Sequence, residues 1–104
     1  MAAELIFLLF IRNNYETDIQ ISELADSLAI DRTYLHRLFK QELGMSPKDY
    51  LTEVRIRKAK ELLTNTDYPI NTIAQSVGYE DPQQFSKVFK QNTNLTPSSF
   101  RRNF

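Results

Sequence analysis

Two stretches of this 104-residue sequence set cations, amides and small hydroxyls at spacings that share one side of a helix. The first holds Arg32, Thr33, His36, Arg37 and Lys40; the second holds Gln83, Gln84, Ser86, Lys87 and Lys90. Such side chains recognise by charge and hydrogen bond rather than make or break bonds. An arginine fork pairs with O6 and N7 of guanine, and a glutamine amide pairs with N6 and N7 of adenine, both on the major-groove edge. Lysines and helix N-termini grip phosphates. The alternative is an ordinary solvated helix face, and the recurrence of one chemistry in two places weighs against it.

Bond-making chemistry finds little to work with. His36 is the single histidine, and its neighbours offer no metal-binding set. It reads as a groove or phosphate contact, or as plain surface. There is no cysteine, which excludes disulfides and cysteine-based zinc sites. The carboxylates are scattered. No glycine-rich phosphate loop is present, and no Cys-His or Ser-His-Asp set that a helical reading would gather. The expectation is a protein that is not an enzyme and needs no cofactor. Phenylalanines and tyrosines mostly coincide with inward positions, so they read as core rather than as a base-stacking platform.

The elements that must carry these residues are marked by an internal repeat. Leu24 to Pro47, LADSLAIDRTYLHRLFKQELGMSP, recurs as Ile73 to Pro97, IAQSVGYEDPQQFSKVFKQNTNLTP. Leu24-Ala25 matches Ile73-Ala74 and Ala29-Ile30 matches Gly78-Tyr79, both 49 residues apart. Leu35 then matches Phe85, Phe39-Lys40-Gln41 matches Phe89-Lys90-Gln91, and Ser46-Pro47 matches Thr96-Pro97, all 50 apart. One extra residue therefore enters the second copy between Ile30 and Leu35. Insertions fall in turns, so each copy reads as a helix, a short turn and a second helix.

In chain order, a first helix is expected from about Ala3 to Tyr15, its solid apolar run Leu5–Ile11 covered on more than one side. Left exposed in an isolated domain, that run would favour self-association. Asp18 to Ile21 connects, Ser22 caps a helix over Glu23–Leu28 with Leu24, Ala25 and Leu28 inward, and Asp31 caps Arg32 to Leu43. Leu35, Leu38 and Phe39 face in, and Gly44 closes the helix. Ser46-Pro47 starts a long helix to about Thr64, with an apolar stripe of Tyr50, Leu51, Val54, Ala59, Leu62 and Leu63. At ~1.5 Å per residue it would span about 27 Å, a rigid strut rather than a flexible linker. Asn71 caps Thr72–Val77 and Gly78 fills the turn. Asp81-Pro82 opens a helix to about Thr93 with Phe85, Val88 and Phe89 inward. Thr96-Pro97 starts a last short helix carrying Phe100, Arg101 and Arg102. The expected fold is all-α, about seven helices: two helix-turn-helix subdomains (1–46 and 65–104) joined by a long central helix (47–64).

Charge is distributed unevenly along the chain. The formal net charge is zero, yet residues 1–31 hold one basic and six acidic residues, while residues 32–104 hold twelve basic and seven acidic. A surface responds to its local field, not to the total. The seven-residue apolar run is far short of the ~20 a membrane span needs. A signal peptide would place basic residues before it, where Glu4 stands.

With these residues in view, the chain resembles the DNA-binding domain of AraC/XylS-type bacterial transcription regulators. The resemblance runs from about residue 5 to 104. It is most specific where the sequence reads KAKELL, a short loop, INTIAQSVGY, a five-residue gap, FSKVFKQ and NLTP, and ISELADSLAIDRTYLHRLFKQELGMSPKDYL fits the first unit. It implies a sequence-specific domain whose two recognition helices enter successive major-groove turns of double-stranded DNA on one face. Arg32, Thr33, His36 and Arg37 would form the first base-reading surface, and Pro82, Gln83, Gln84 and Lys87 the second. Ser22, Lys40, Asn71, Ser86 and Lys90 would contact phosphates. Unlike outer faces on a shared core imply an asymmetric, non-palindromic site. The resemblance also implies a cytoplasmic protein, RNA polymerase as a partner, and an effector, dimerisation or receiver domain in the full-length regulator. Asn94 departs from the family pattern, which often has glycine there, and the zero net charge is a second departure. The runner-up is a helical protein-interaction domain that docks a partner through the apolar first helix.

Overall fold

The computed structural model describes residues 2–17, 25–26 and 29–104, of which residues 2–4 are described by backbone alone. Among them are six helices and no strand: α1 (Ala2–Asn14), α2 (Arg32–Leu43), α3 (Pro47–Asn65), α4 (Ile70–Ser76), α5 (Pro82–Thr93) and α6 (Pro97–Asn103). The chain is all-α. The connector Asp18–Ile21, the cap Ser22 and most of the expected helix Glu23–Leu28, including Leu24 and Leu28, lie outside the described residues. Ala25 and Asp26 are described, and both are helical. The chain divides into two compact units, Met1–Val54 and Arg55–Phe104.

In the first unit α1 packs on α2. Phe7, Ala25, Leu35 and Phe39 form the core, edged by Leu8, Ile30 and Tyr50. The Phe7 and Phe39 rings meet edge to face at 6.4 Å, and Phe39 meets Tyr50 at 6.3 Å, the arrangement that ring quadrupoles favour. A neighbouring cluster joins Ile11, Leu51 and Val54. The expectation that the apolar run is covered on more than one side does not hold. Phe7 and Ile11 are buried, whereas Leu5, Ile6, Leu9 and Phe10 are exposed. Seven consecutive residues go round nearly two helical turns, and the small core meets one side of them: Phe7 and Ile11 at i, i+4, with Leu8 at its edge.

In the second unit α4 packs on α5 and α5 on α6. Ala59, Ile73, Ala74, Val77, Phe85 and Phe89 are fully buried, and Ile56, Leu63 and Tyr79 nearly so. A file of rings runs Tyr79, Phe85, Phe89, Phe100 and Phe104, with centroids 4.8 to 5.7 Å apart. Ile56 is an inward residue of α3 that the sequence stripe omits, while Tyr50 and Leu62, which the stripe includes, are only half-buried.

The caps follow their chemistry with one exception. Asp31 Oδ1 accepts from the Tyr34 N–H at 3.0 Å, Ser46 Oγ from Asp49 at 3.1 Å, Asp81 Oδ1 from Gln83 at 2.9 Å and Thr96 Oγ1 from Ser99 at 3.1 Å. Asn71 is not a cap. α4 begins at Ile70 after Pro69, and no side chain caps it. Pro69 takes the cap position instead, with φ −58° and ψ 151°, and has no side-chain acceptor to offer. Among the described residues no helix is long and apolar enough to cross a membrane.

Candidate nucleic-acid interface

Each unit ends its short first element in the same turn. In the first, the Ala29 N–H reaches Asp26 O at 3.0 Å and Ile30 N–H reaches Ala25 O at 2.9 Å. In the second, Gly78 N–H reaches Gln75 O at 3.1 Å and Tyr79 N–H reaches Ala74 O at 2.9 Å. Ala29 and Gly78 both take positive φ, 55° and 103°. From Asp31 and Asp81 onward the bonds correspond at the longer offset: Leu35 N–H to Asp31 O and Phe85 N–H to Asp81 O, then Gly44 N–H to Lys40 O and Asn94 N–H to Lys90 O. The extra residue is thus Glu80, an exposed bend between Tyr79 and Asp81. Asn94 adopts the left-handed conformation at φ 66°, as Gly44 does at 72°, because a short amide side chain tolerates it.

This common scaffold aims α2 and α5. In α2, Leu35 and Phe39 are buried, and Arg32, Thr33, His36, Arg37 and Lys40 are exposed. In α5, Phe85 and Phe89 are buried, and Gln83, Gln84, Lys87 and Lys90 are exposed. Pro82 and Ser86 are half-buried, so Ser86 is less outward than its spacing suggests. Asn71 is exposed in the first turn of α4, and Ser22 lies outside the described residues. Each helix therefore offers one continuous face of donors and cations.

Two features of these faces are not evident in the sequence pattern. Tyr34 is not core: it is 47% exposed on α2. The Arg37 guanidinium carbon lies 5.9 Å from its ring centroid. The i, i+3 spacing of Tyr34 and Arg37 was the available signal. Arg32 instead points its Nε at Asp26 Oδ1, 3.5 Å away and well exposed to solvent. The second feature lies within the second unit, on α6. Arg101 donates to three backbone carbonyls: Leu63 at 3.2 Å, Thr66 at 3.1 Å and Tyr68 at 2.8 Å. These partners are 33 to 38 residues away in sequence, so no local pattern announces them.

Tyr79 is the buried polar ring of the second turn. Burial pushes its hydroxyl above the ordinary value, and the charge and hydrogen bond of Arg55 draw it back only in part. The Arg55 guanidinium carbon stands 5.3 Å from the ring centroid.

Comparison with known proteins agrees with this geometry. A family model described as a helix-turn-helix domain matches residues 24–103. The lactose operon transcription activator of Staphylococcus xylosus is 42% identical over 95 residues, covering 91% of this chain and 34% of the relative. The chain thus spans about a third of the length of that curated relative. Among solved structures, the C-terminal domain of AraT, a response regulator from Geobacillus stearothermophilus, superposes with a TM-score of 0.93 at 35% identity, covering 97% of this chain and 84% of that one. A transcriptional regulator from Chromobacterium violaceum, described by its AraC-type DNA-binding domain, gives 0.84 at 29% identity, covering 98% and 92%.

Proposed function

Since the chain belongs to the AraC-type helix-turn-helix family and is a DNA-binding domain of the kind found in transcription regulators, we propose that α2 and α5 are its two recognition helices. Each enters the major groove, and the two read successive turns of one asymmetric site. Arg32, Thr33, His36 and Arg37 face the bases in the first half-site, and Pro82, Gln83, Gln84 and Lys87 in the second. Lys40, Ser86 and Lys90, with Asn71 and Ser22, hold phosphates. The observation that carries this reading is the match of backbone hydrogen bonds between the units beside the mismatch of their outer residues. One scaffold presents arginine and histidine in one place and glutamine in the other.

The regulator acts in the cytoplasm, recruits or obstructs RNA polymerase, and is governed by an effector, dimerisation or receiver domain. Selecting bound duplexes from a random DNA pool defines the site. On that site, Arg37→Ala is expected to lose roughly 1–3 kcal/mol, concentrated at one base pair. Unchanged affinity would remove Arg37 from the reading surface.

A second reading rests on α1, whose Leu5, Ile6, Leu9 and Phe10 are exposed. Contiguous apolar surface of this kind marks partner sites, and the domain would then serve protein interaction. Retarded migration of the selected duplex at physiological salt supports the first reading, and its absence the second.

A further inference from the structure

We propose that Tyr34 is a positioning residue for base discrimination: its ring carries the Arg37 guanidinium and steers it toward the base edges without using any of its N–H donors. The inference rests on α2 being a base-reading helix. Tyr34 is the third residue of α2, and its N–H is fixed by the Asp31 carboxylate at 3.0 Å. Its side chain stands 47% exposed rather than in the core. Arg37, one turn on, places its guanidinium carbon 5.9 Å from the ring centroid.

The two arginines of α2 are held in unlike ways. Arg32 meets a carboxylate, Asp26, at 3.5 Å. That contact occupies a donor and puts a negative charge where DNA would bring another. Arg37 meets a ring face. Among the described residues it has neither a hydrogen bond nor an ion pair. A planar guanidinium can lie against an aromatic face while its edge stays free for a bidentate partner. Guanine offers such a partner through O6 and N7. A long, rotamer-rich side chain loses freedom when it docks, and restraint before docking lessens that loss. Tyr34 supplies the restraint, and Arg37 the recognition.

The test uses duplexes selected by the chain itself and every single-base-pair variant of them. Affinities are measured for the wild type, Arg37→Ala, Tyr34→Leu, Tyr34→Phe and the double variant Tyr34→Leu with Arg37→Ala. Tyr34→Leu is expected to lower discrimination roughly 2–5-fold at the base pair that Arg37→Ala affects. Tyr34→Phe keeps the ring and should keep the discrimination. With Arg37 already removed, Tyr34→Leu should change nothing further.

The proposal is overturned if Tyr34→Leu discriminates like the wild type, weakens all duplexes equally, or still acts in the absence of Arg37. It is also overturned if Tyr34→Phe loses as much as Tyr34→Leu, because the hydroxyl is then the active group. An inert Tyr34→Leu beside a base-specific Arg37→Ala sinks this inference alone. An Arg37→Ala variant with wild-type discrimination removes Arg37 from the reading surface and overturns this inference with it.

Discussion

At the scale of single residues, the side chains that face outward and those that tie the chain together have different legibility. Arg37 and Gln83 follow from helical spacing, since their neighbours at i+2 are inward phenylalanines Phe39 and Phe85. Arg101 does not. Beside Arg102 it reads as one more surface cation, yet it donates to Leu63, Thr66 and Tyr68 carbonyls at the end of α3 and in the loop before α4. Those carbonyls have no helical partner at a terminus, and a charged donor is the strong way to satisfy them. Removing the guanidinium leaves three acceptors to find water. Arg101→Ala is expected to lower stability by about 1.5–3 kcal/mol, read as a shift in the urea midpoint. Arg101→Lys, with a point charge in place of a fork, should recover only part of it. A midpoint that does not move would show that solvent already serves these carbonyls.

At the scale of elements, the two turns are one device built with different residues. Gly78 takes its positive φ freely, whereas Ala29 holds 55° with a Cβ attached. An L-residue there costs roughly 1–2 kcal/mol, while glycine costs about 0.4–1 kcal/mol through the freer unfolded chain. Ala29→Gly should therefore stabilise the first unit by on the order of 0.5–1 kcal/mol, measured by thermal or urea unfolding. Destabilisation would mean that the Ala29 methyl packs more than its exposure suggests. The first helix gives the contrary lesson. Its apolar run announces a buried element, yet Phe7 and Ile11 are buried and Leu5, Ile6, Leu9 and Phe10 are not. Hydrophobicity states what a helix would bury if it had enough neighbours. The neighbours are a matter of tertiary structure.

At the scale of the whole molecule, zero net charge hides a polarity of sequence, acidic before residue 32 and basic after it. Binding that depends on phosphate contacts is strongly salt-dependent through counterion release. If Lys40 and Lys90 each neutralise one phosphate, Lys40→Ala and Lys90→Ala should each make the slope of log affinity against log salt shallower by about 0.9. Their effects should be alike on selected and unrelated duplexes, because phosphates carry no sequence information. An unchanged slope would place that lysine outside the interface.

The sequence by itself determined the duplication, the helices α1 to α6 and the caps Asp31, Ser46, Asp81 and Thr96. Capping hydroxyls, left-handed glycine or asparagine, N1 prolines and 3.6-residue periodicity all act within one or two turns of chain. It also determined which faces of α2 and α5 turn outward, since inward residues repeat at fixed spacing. The tertiary structure alone decided that Glu80 is the extra residue and that Ile56 belongs to the core. It alone showed that Asn71 is not a cap, that Tyr34 stands outside beside Arg37, and that Arg101 reaches back to the end of α3. Exposure and long-range hydrogen bonds depend on which segments meet in space, and spacing along the chain does not contain that.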